Sequence, residues 1–166
     1  MRKRALLLFA AAGCAALIAA TSSAERLSPC VLTLKYGARS EKPAGQLHVD
    51  LVVVNAGGTA CRVAGFPDVE LIGPVDPTFG SIYFVPDRAG RSSSIALRPG
   101  RRAHAVLTWL PAAVRNGGWR PGYLRVVVPT NRGASPAMAL PWRFGAVLRQ
   151  DAATHPGTYV SPIRAG

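Results

Sequence analysis

The chain has 166 residues, with 20 lysines and arginines against 8 acidic residues, so its formal net charge is +12. A chain of this length fits one domain with a proper core, and it contains no internal repeat and no low-complexity linker. The positive charge suggests affinity for polyanions. The acidic residues do not cluster in the sequence, so no EF-hand-like calcium-binding loop is visible.

The first 24 residues have the pattern of a secretory signal peptide. A short basic run, residues 1–4, precedes an uncharged apolar stretch, residues 5–20. Ser22 and Ala24 place small side chains at the third and first positions before a cleavage site. The apolar stretch is shorter than the roughly 20 residues that a membrane-spanning helix needs. We therefore expect cleavage after Ala24 and export of the remainder.

Lipidation at Cys14 is the alternative fate of this segment. Residues 11–13 partly resemble a lipobox, but alanine stands where leucine is usual, and residues 15–20 stay apolar where a polar tether is expected. A lipidated Cys14 would leave the protein anchored to the membrane rather than free. The departures from the pattern favour cleavage.

Either fate of Cys14 leaves two of the three cysteines, Cys30 and Cys61. Export would place them in a compartment where disulfides form, and closure of this loop would stabilise the fold by about 3–4 kcal/mol. Two unpaired buried thiols are the alternative, while a zinc site would need close-spaced partners. Removing Arg2, Lys3 and Arg4 from the 20 basic residues leaves 17 against 8 acidic, or +9, on the exported part.

From residue 30 onward the chain predicts short strands separated by glycine- and proline-containing turns. The clearest is 46–55, where apolar residues at odd positions share one face and His48 and Asp50 share the other. In chain order the predicted strands are 30–36, 46–55, 61–63, 69–72, 82–85, 95–97, 103–110, 123–128, 137–140 and 159–163, with one helical turn at 111–116. This spacing favours an all-β sandwich or barrel.

Trp109 lies on the apolar face of the predicted strand 103–110, so we expect its ring in the core between sheets. Trp119 and Trp142 stand near glycines and prolines, and their location stays open.

Three segments together point to a known family. The first runs from Cys30 through Asn55-x-Gly57 to CRVAGFPDVEL at 61–71; the others are LRPGRRAHAVLTW at 97–109 and YLRV at 123–126. Over residues 28–163 the chain resembles the actinobacterial family of secreted proteins and lipoproteins that shares domain of unknown function 4232.

The resemblance implies an immunoglobulin-like β-sandwich in the cell envelope, formed as a single domain by residues 28–163. It implies the Cys30–Cys61 bridge and a turn at Gly65, and it brings no catalytic residues. Many members carry a second cysteine pair in the C-terminal half. This chain has none there; Trp119 and the region of Gly145 stand in the corresponding place.

The histidines offer little catalytic chemistry. His48 and Asp50 share a strand face, which could orient an imidazole, but a hydrolase also needs a nucleophile and an oxyanion site, and no G-x-S-x-G stretch is present. A solvated polar face is the favoured interpretation. His104 and His155 lack the close spacing of zinc or copper ligands. We predict no metal, no cofactor and no enzymatic activity.

Five arginines form a candidate anion-binding patch, because loops of a sandwich gather at its ends and guanidinium forks bind phosphate and carboxylate well. They are Arg88, Arg91, Arg98, Arg101 and Arg102. Five independently solvated arginines are the alternative.

These features predict a non-enzymatic protein, secreted or in the cell envelope, that binds an anionic wall polymer, a lipid headgroup or another exported protein, with no nucleic acid as partner. One alternative is a secreted hydrolase that uses His48 with Asp50, or His104, and an unidentified serine. The other is a structural module of an envelope complex, which an exposed apolar patch or an unpaired edge strand would favour.

Overall fold

A computed structural model describes residues 29–41 and 45–166. The predicted signal peptide, residues 1–24, and Cys14 lie outside the described residues. The described part is all-β with one short 3-10 turn, Val114–Asn116, inside the predicted helical turn. Its strands are β1 (Leu32–Glu41), β2 (Leu47–Asn55), β3 (Cys61–Val63), β4 (Asp68–Asp76), β5 (Gly80–Val85), β6 (Ile95–Leu97), β7 (Arg102–Trp109), β8 (Gly118–Trp119), β9 (Tyr123–Val127), β10 (Pro129–Thr130), β11 (Gly133–Ala134), β12 (Met138–Pro141), β13 (Val147–Leu148), β14 (Tyr159–Val160) and β15 (Arg164–Ala165).

The first sheet has the antiparallel order β1-β2-β7-β14, and β15 also pairs with β7. Side chains of its two central strands, β2 and β7, alternate between the two faces of the sheet, and one of these faces packs into the core. Val49 and Leu51 of β2 stand opposite Leu107 and Ala105 of β7, and all four are buried. Trp109, at the end of β7, is fully buried as predicted.

The remaining strands form smaller antiparallel sheets. Two have four strands each, in the orders β11-β10-β3-β6 and β12-β9-β4-β5, and β13 pairs with β8. Val63 and Leu97 of one sheet and Leu71 and Leu124 of the other join the core that β2 and β7 line. The three larger sheets therefore share one hydrophobic core.

The Cys30–Cys61 disulfide is present, as predicted, with Cα atoms 5.3 Å apart. It joins the residue region before β1 to the start of β3, and so links the first sheet to the second. Asn55 supports the same junction: its side-chain amide donates to the carbonyls of Thr59 (2.8 Å) and Leu97 (2.9 Å) and accepts from the Gly57 N–H (2.9 Å). Asn55 is buried, and its three hydrogen bonds make the 56–60 turn a fixed connection.

The C-terminal half is tied together by a buried arginine. Arg149, whose side chain is 3% exposed, lies just after β13 and pairs with Asp151. Its guanidinium donates to the carbonyls of Phe79 (2.8 Å), Gly80 (2.7 Å) and Ile82 (2.8 Å), in and beside the β4–β5 turn. These hydrogen bonds cross-link the C-terminal half to the β4–β5 turn.

The predicted last strand at 159–163 is wrong in its extent. Within it only Tyr159–Val160 (β14) forms a strand, and β15 begins after it at Arg164, because Pro162 has no N–H to donate and interrupts the pairing with β7. Ile163, between the two strands, turns into the core. The two-residue strands β8, β10, β11 and β13 carry too short a pattern for sequence analysis to predict.

Candidate functional site

The outer face of the first sheet, turned away from the core, carries a hollow of about 330 Å³, which we call the first hollow. Strand pairing assembles it in rows: Ser40 stands opposite His48, His48 opposite Thr108, and Thr108 opposite Tyr159. Further along β7, His104 stands opposite Arg164. The lining residues are Ser40, His48, Asp50, Arg88, His104, Val106, Thr108, Tyr159, Ser161 and Arg164.

A second hollow of about 270 Å³ continues along the same sheet face. It shares Asp50 and His104 with the first, and it adds Arg102 of β7 and Val52 of β2. We call the two hollows together the outer groove. The groove follows the direction of β7 because its residues come from one face of that strand and its neighbours.

A β-bulge in β1 forms one wall of the second hollow. Gly37 and Ala38 together oppose Asp50, since the pairing shifts between Tyr36 and Arg39. A Cβ on Gly37 would lie 2.8 Å from Val52 Cγ2 and 2.9 Å from Asp50 Cβ. The close approach of the β1 backbone at this point therefore requires glycine.

The expectation that His48 belongs to a solvated polar face is wrong. His48 is 6% exposed, because β2 is a central strand and side chains of β1 and β7 flank it on both sides. Its Nδ1 shares a hydrogen bond of 3.1 Å with the hydroxyl of Thr108, which is also buried. Asp50, two residues on, is half-buried.

The two serines of the first hollow differ in their surroundings. The Ser161 hydroxyl accepts a hydrogen bond from the Val106 N–H (2.8 Å) and donates one to the Pro162 carbonyl (3.1 Å), so it supports the backbone. Ser40 is exposed and stands across from His48.

Three exposed arginines give the groove its charge: Arg88, Arg102 and Arg164. The Arg88 guanidinium lies 5.2 Å from the ring centroid of Tyr159, which holds it at the first hollow. Within residues 29–41 and 45–166, ion pairs engage Arg125 with Glu70 and Arg149 with Asp151, and none engages these three. Asp50 is the one acidic side chain among the described lining residues of either hollow, and Gly166 also lines the second hollow.

The five arginines of the predicted patch are distributed over several places. Arg88 lines the first hollow and Arg102 the second, while Arg98 and Arg101 line a separate hollow at the Pro99 turn. Arg91 is exposed and lines none of these hollows. Arg164 is not part of the predicted patch, but the pairing of β15 with β7 brings it to the first hollow with Arg88. The sequence feature that could have indicated Arg164 is its position directly after the predicted last strand.

A different surface covers the outer face of the sheet β12-β9-β4-β5. Phe84 is 67% exposed and Tyr123 49% exposed, on either side of a bidentate pair in which Arg125 donates to Glu70 at 2.7 and 2.6 Å. The hydrogen bond and charge of Glu70 raise the pKa of Arg125. Nearby, burial raises the pKa of Asp87, and the charge of Asp68 adds to the effect.

Among the described residues, no group of three or more histidine, cysteine or acidic side chains is placed to hold a metal ion. The same part of the chain has no helix long and apolar enough to cross a membrane.

A family model for a domain of unknown function, DUF4232, matches residues 30–160. The chain belongs to the DUF4232 family. No curated protein matches this DUF4232 chain. A similar solved structure is that of DesR, a β-glucosidase from Streptomyces venezuelae in complex with D-glucose, with 14% identity, a TM-score of 0.32, and coverage of 70% of this chain and 15% of DesR. At that TM-score the likeness supports no inference about fold or activity.

Proposed function

We propose that this DUF4232 protein is a non-enzymatic binding protein, secreted or held in the cell envelope, whose outer groove binds anionic groups. The observation that carries the proposal is the set of three groove arginines, Arg88, Arg102 and Arg164, none paired with a carboxylate in the described part of the chain. Export through the signal peptide at residues 1–24 and an immunoglobulin-like sandwich complete the proposal. The disulfide is compatible with that location.

The chemistry of the groove favours phosphate or carboxylate as the bound group. A guanidinium presents planar pairs of N–H donors that match these oxyanions, and it keeps its charge at any physiological pH. The arginines stand on or beside paired strands, so their backbones are ordered before binding and little backbone entropy is lost. Asp50 repels an anion near the centre of the groove and restricts favourable positions to the arginine-lined parts.

Binding to isolated cell walls tests the proposal. The exported protein should sediment with walls at low salt and be released at high salt, because screening weakens contacts between exposed charges. Replacing both Arg88 and Arg164 by alanine should lower binding about tenfold, a loss of about 1.4 kcal/mol.

The matched control is the double replacement of Arg98 and Arg101 by alanine, which removes the same charge outside the groove and should leave binding within about twofold. No binding at either salt concentration would sink the proposal for wall polymers. If both double variants lose wall binding equally, the binding reflects nonspecific attraction by net charge and not the groove.

A secreted hydrolase is the second candidate, and one observation favours it. His48 and His104 line the same hollow as Asp50 and the exposed hydroxyl of Ser40. The imidazole Nδ1 of His48 meets a threonine hydroxyl, however, where a triad would place a carboxylate. Ester turnover that Ser40→Ala and His48→Gln both abolish would establish this candidate; turnover no faster than buffer would remove it.

A structural module of an envelope complex is the third candidate. The exposed apolar side chains Phe84 and Tyr123 support it, because they share one sheet face that the described chain leaves uncovered.

A further inference from the structure

The groove arginines are spread along a line. Arg88 lies beside Tyr159, opposite Thr108; Arg164 lies opposite His104; and Arg102 stands two residues beyond His104. At a strand rise of about 3.3 Å per residue, the first two positions are roughly 13 Å apart and Arg102 is roughly 7 Å further. The cationic positions thus extend over about 20 Å of the sheet face.

The two hollows divide these charges unequally. The first contains Arg88 and Arg164, and the second contains Arg102. Asp50 lines both hollows and stands opposite Val106 of β7, midway between the positions of Arg88 and Arg164, so its carboxylate disfavours an anion between them. Favourable positions for negative charge therefore alternate with an unfavourable one along the groove.

We infer that the groove binds an extended polymer carrying phosphate or carboxylate groups at intervals of roughly 7–13 Å, rather than one isolated anion. This inference rests on the proposed function and deepens it. A polymer that lies along β7 would place one anionic group beside Arg88, another beside Arg164 and a third beside Arg102, with an uncharged part passing Asp50 between the first two.

The surroundings of the groove favour a wall polymer over a membrane. A lipid surface would call for apolar side chains next to the cations, where they can enter the acyl boundary. The strongly exposed aromatic residues Phe84 and Tyr123 lie on β5 and β9, strands of a different sheet. Beside the arginines, the Tyr159 ring is half-buried and stacked on Arg88, and the aliphatic lining among the described residues is Val52 and Val106 at the floor of the groove.

Dependence of affinity on ligand length tests the inference. The probes are two series, oligomers of glycerol phosphate and oligomers of a uronic acid, each from a single unit to eight units, with titration calorimetry on the purified exported protein. In at least one series the eight-unit probe should bind about 100-fold more tightly than the single unit, because engagement of a second site becomes intramolecular.

The Arg102→Ala variant distinguishes binding in the second hollow from binding in the first. This variant should weaken the eight-unit probe about tenfold and leave the single unit within about twofold, because only the long probe, bound in the first hollow, also reaches Arg102 in the second. Arg101→Ala is the matched control, one residue away and outside the groove, and should change neither affinity.

Equal affinity for single and eight-unit probes in both series would overturn the inference while leaving anion binding in the groove intact. An unchanged eight-unit affinity in Arg102→Ala would overturn it as well. Binding to vesicles of anionic phospholipid, combined with no dependence on oligomer length, would assign a lipid headgroup instead. If no probe binds and isolated walls do not bind either, the proposed function itself fails.

Discussion

Arg149 combines a charge, hydrogen bonds and ring contacts in one buried side chain. Its guanidinium lies 4.8 Å from the ring centroid of Trp119 and 5.6 Å from that of Tyr83, while its N–H groups reach Asp151 and three carbonyls. A buried charge is tolerated when its donors are satisfied in this way. The side chain consequently joins β13 to the β4–β5 turn.

Arg149→Met should destabilise the protein by about 3 kcal/mol, because it leaves buried carbonyls without donors and removes the partner of Asp151. Urea denaturation followed by tryptophan fluorescence would measure the loss. Arg149→Lys is the matched control: it keeps the charge but not the planar fork, so it should recover part of the stability. Unchanged midpoints for the methionine variant would show that the network contributes nothing.

At the scale of elements, the bulge in β1 links strand geometry to the groove. Two residues of β1, Gly37 and Ala38, oppose one residue of β2, which bends the edge strand around the second hollow. Because β1 is at the edge of its sheet, the bulge also disturbs the regular edge that another strand could pair with.

Gly37→Ala should push β1 away from β2, since the new methyl group would overlap with Val52 and Asp50. We expect a loss of about 1–3 kcal/mol in unfolding free energy and weaker binding in the second hollow. Gly58→Ala is the control, because a Cβ there meets nothing within 4 Å. Thermal melting that shifts equally in both variants would contradict the role assigned to the bulge.

At the scale of the whole molecule, the disulfide connects sheets that strand pairing does not join. Cys30 and Cys61 are separated by 31 residues, and both are buried at the edge of the shared core. The bond restricts the unfolded chain and holds β1 of the first sheet near β3 of the second.

Replacing both cysteines by alanine should lower stability by about 3–4 kcal/mol, according to the entropy of closing a loop of this length. The melting temperature should fall by roughly 10 °C for a domain of this size. The wild-type protein under reducing conditions should melt at a similar temperature. If the double variant melts at the same temperature as the oxidised wild type, the disulfide does not contribute to stability.

Much of the fold could be predicted from local pattern. β2 and β7 were predicted because one buried face imposes a period of two on Leu47–Asn55 and Arg102–Trp109. The candidate site was predicted less well. Local pattern indicates Arg88 and Arg102 but not Arg164, and it predicts a solvated face for His48 although neighbouring strands bury that side chain.

The sequence by itself determined the all-β class, the family and the partners in the disulfide, because strand periodicity, motif spacing and cysteine number are properties of the chain that need no contact map. Tertiary structure alone decided which arginines share a groove, how His48 is enclosed and that Arg149 cross-links the C-terminal half. These features depend on pairing between strands far apart in the chain: His104 and Arg164 become neighbours through β7 and β15. Such pairing depends on which surfaces pack together, and no local pattern encodes it.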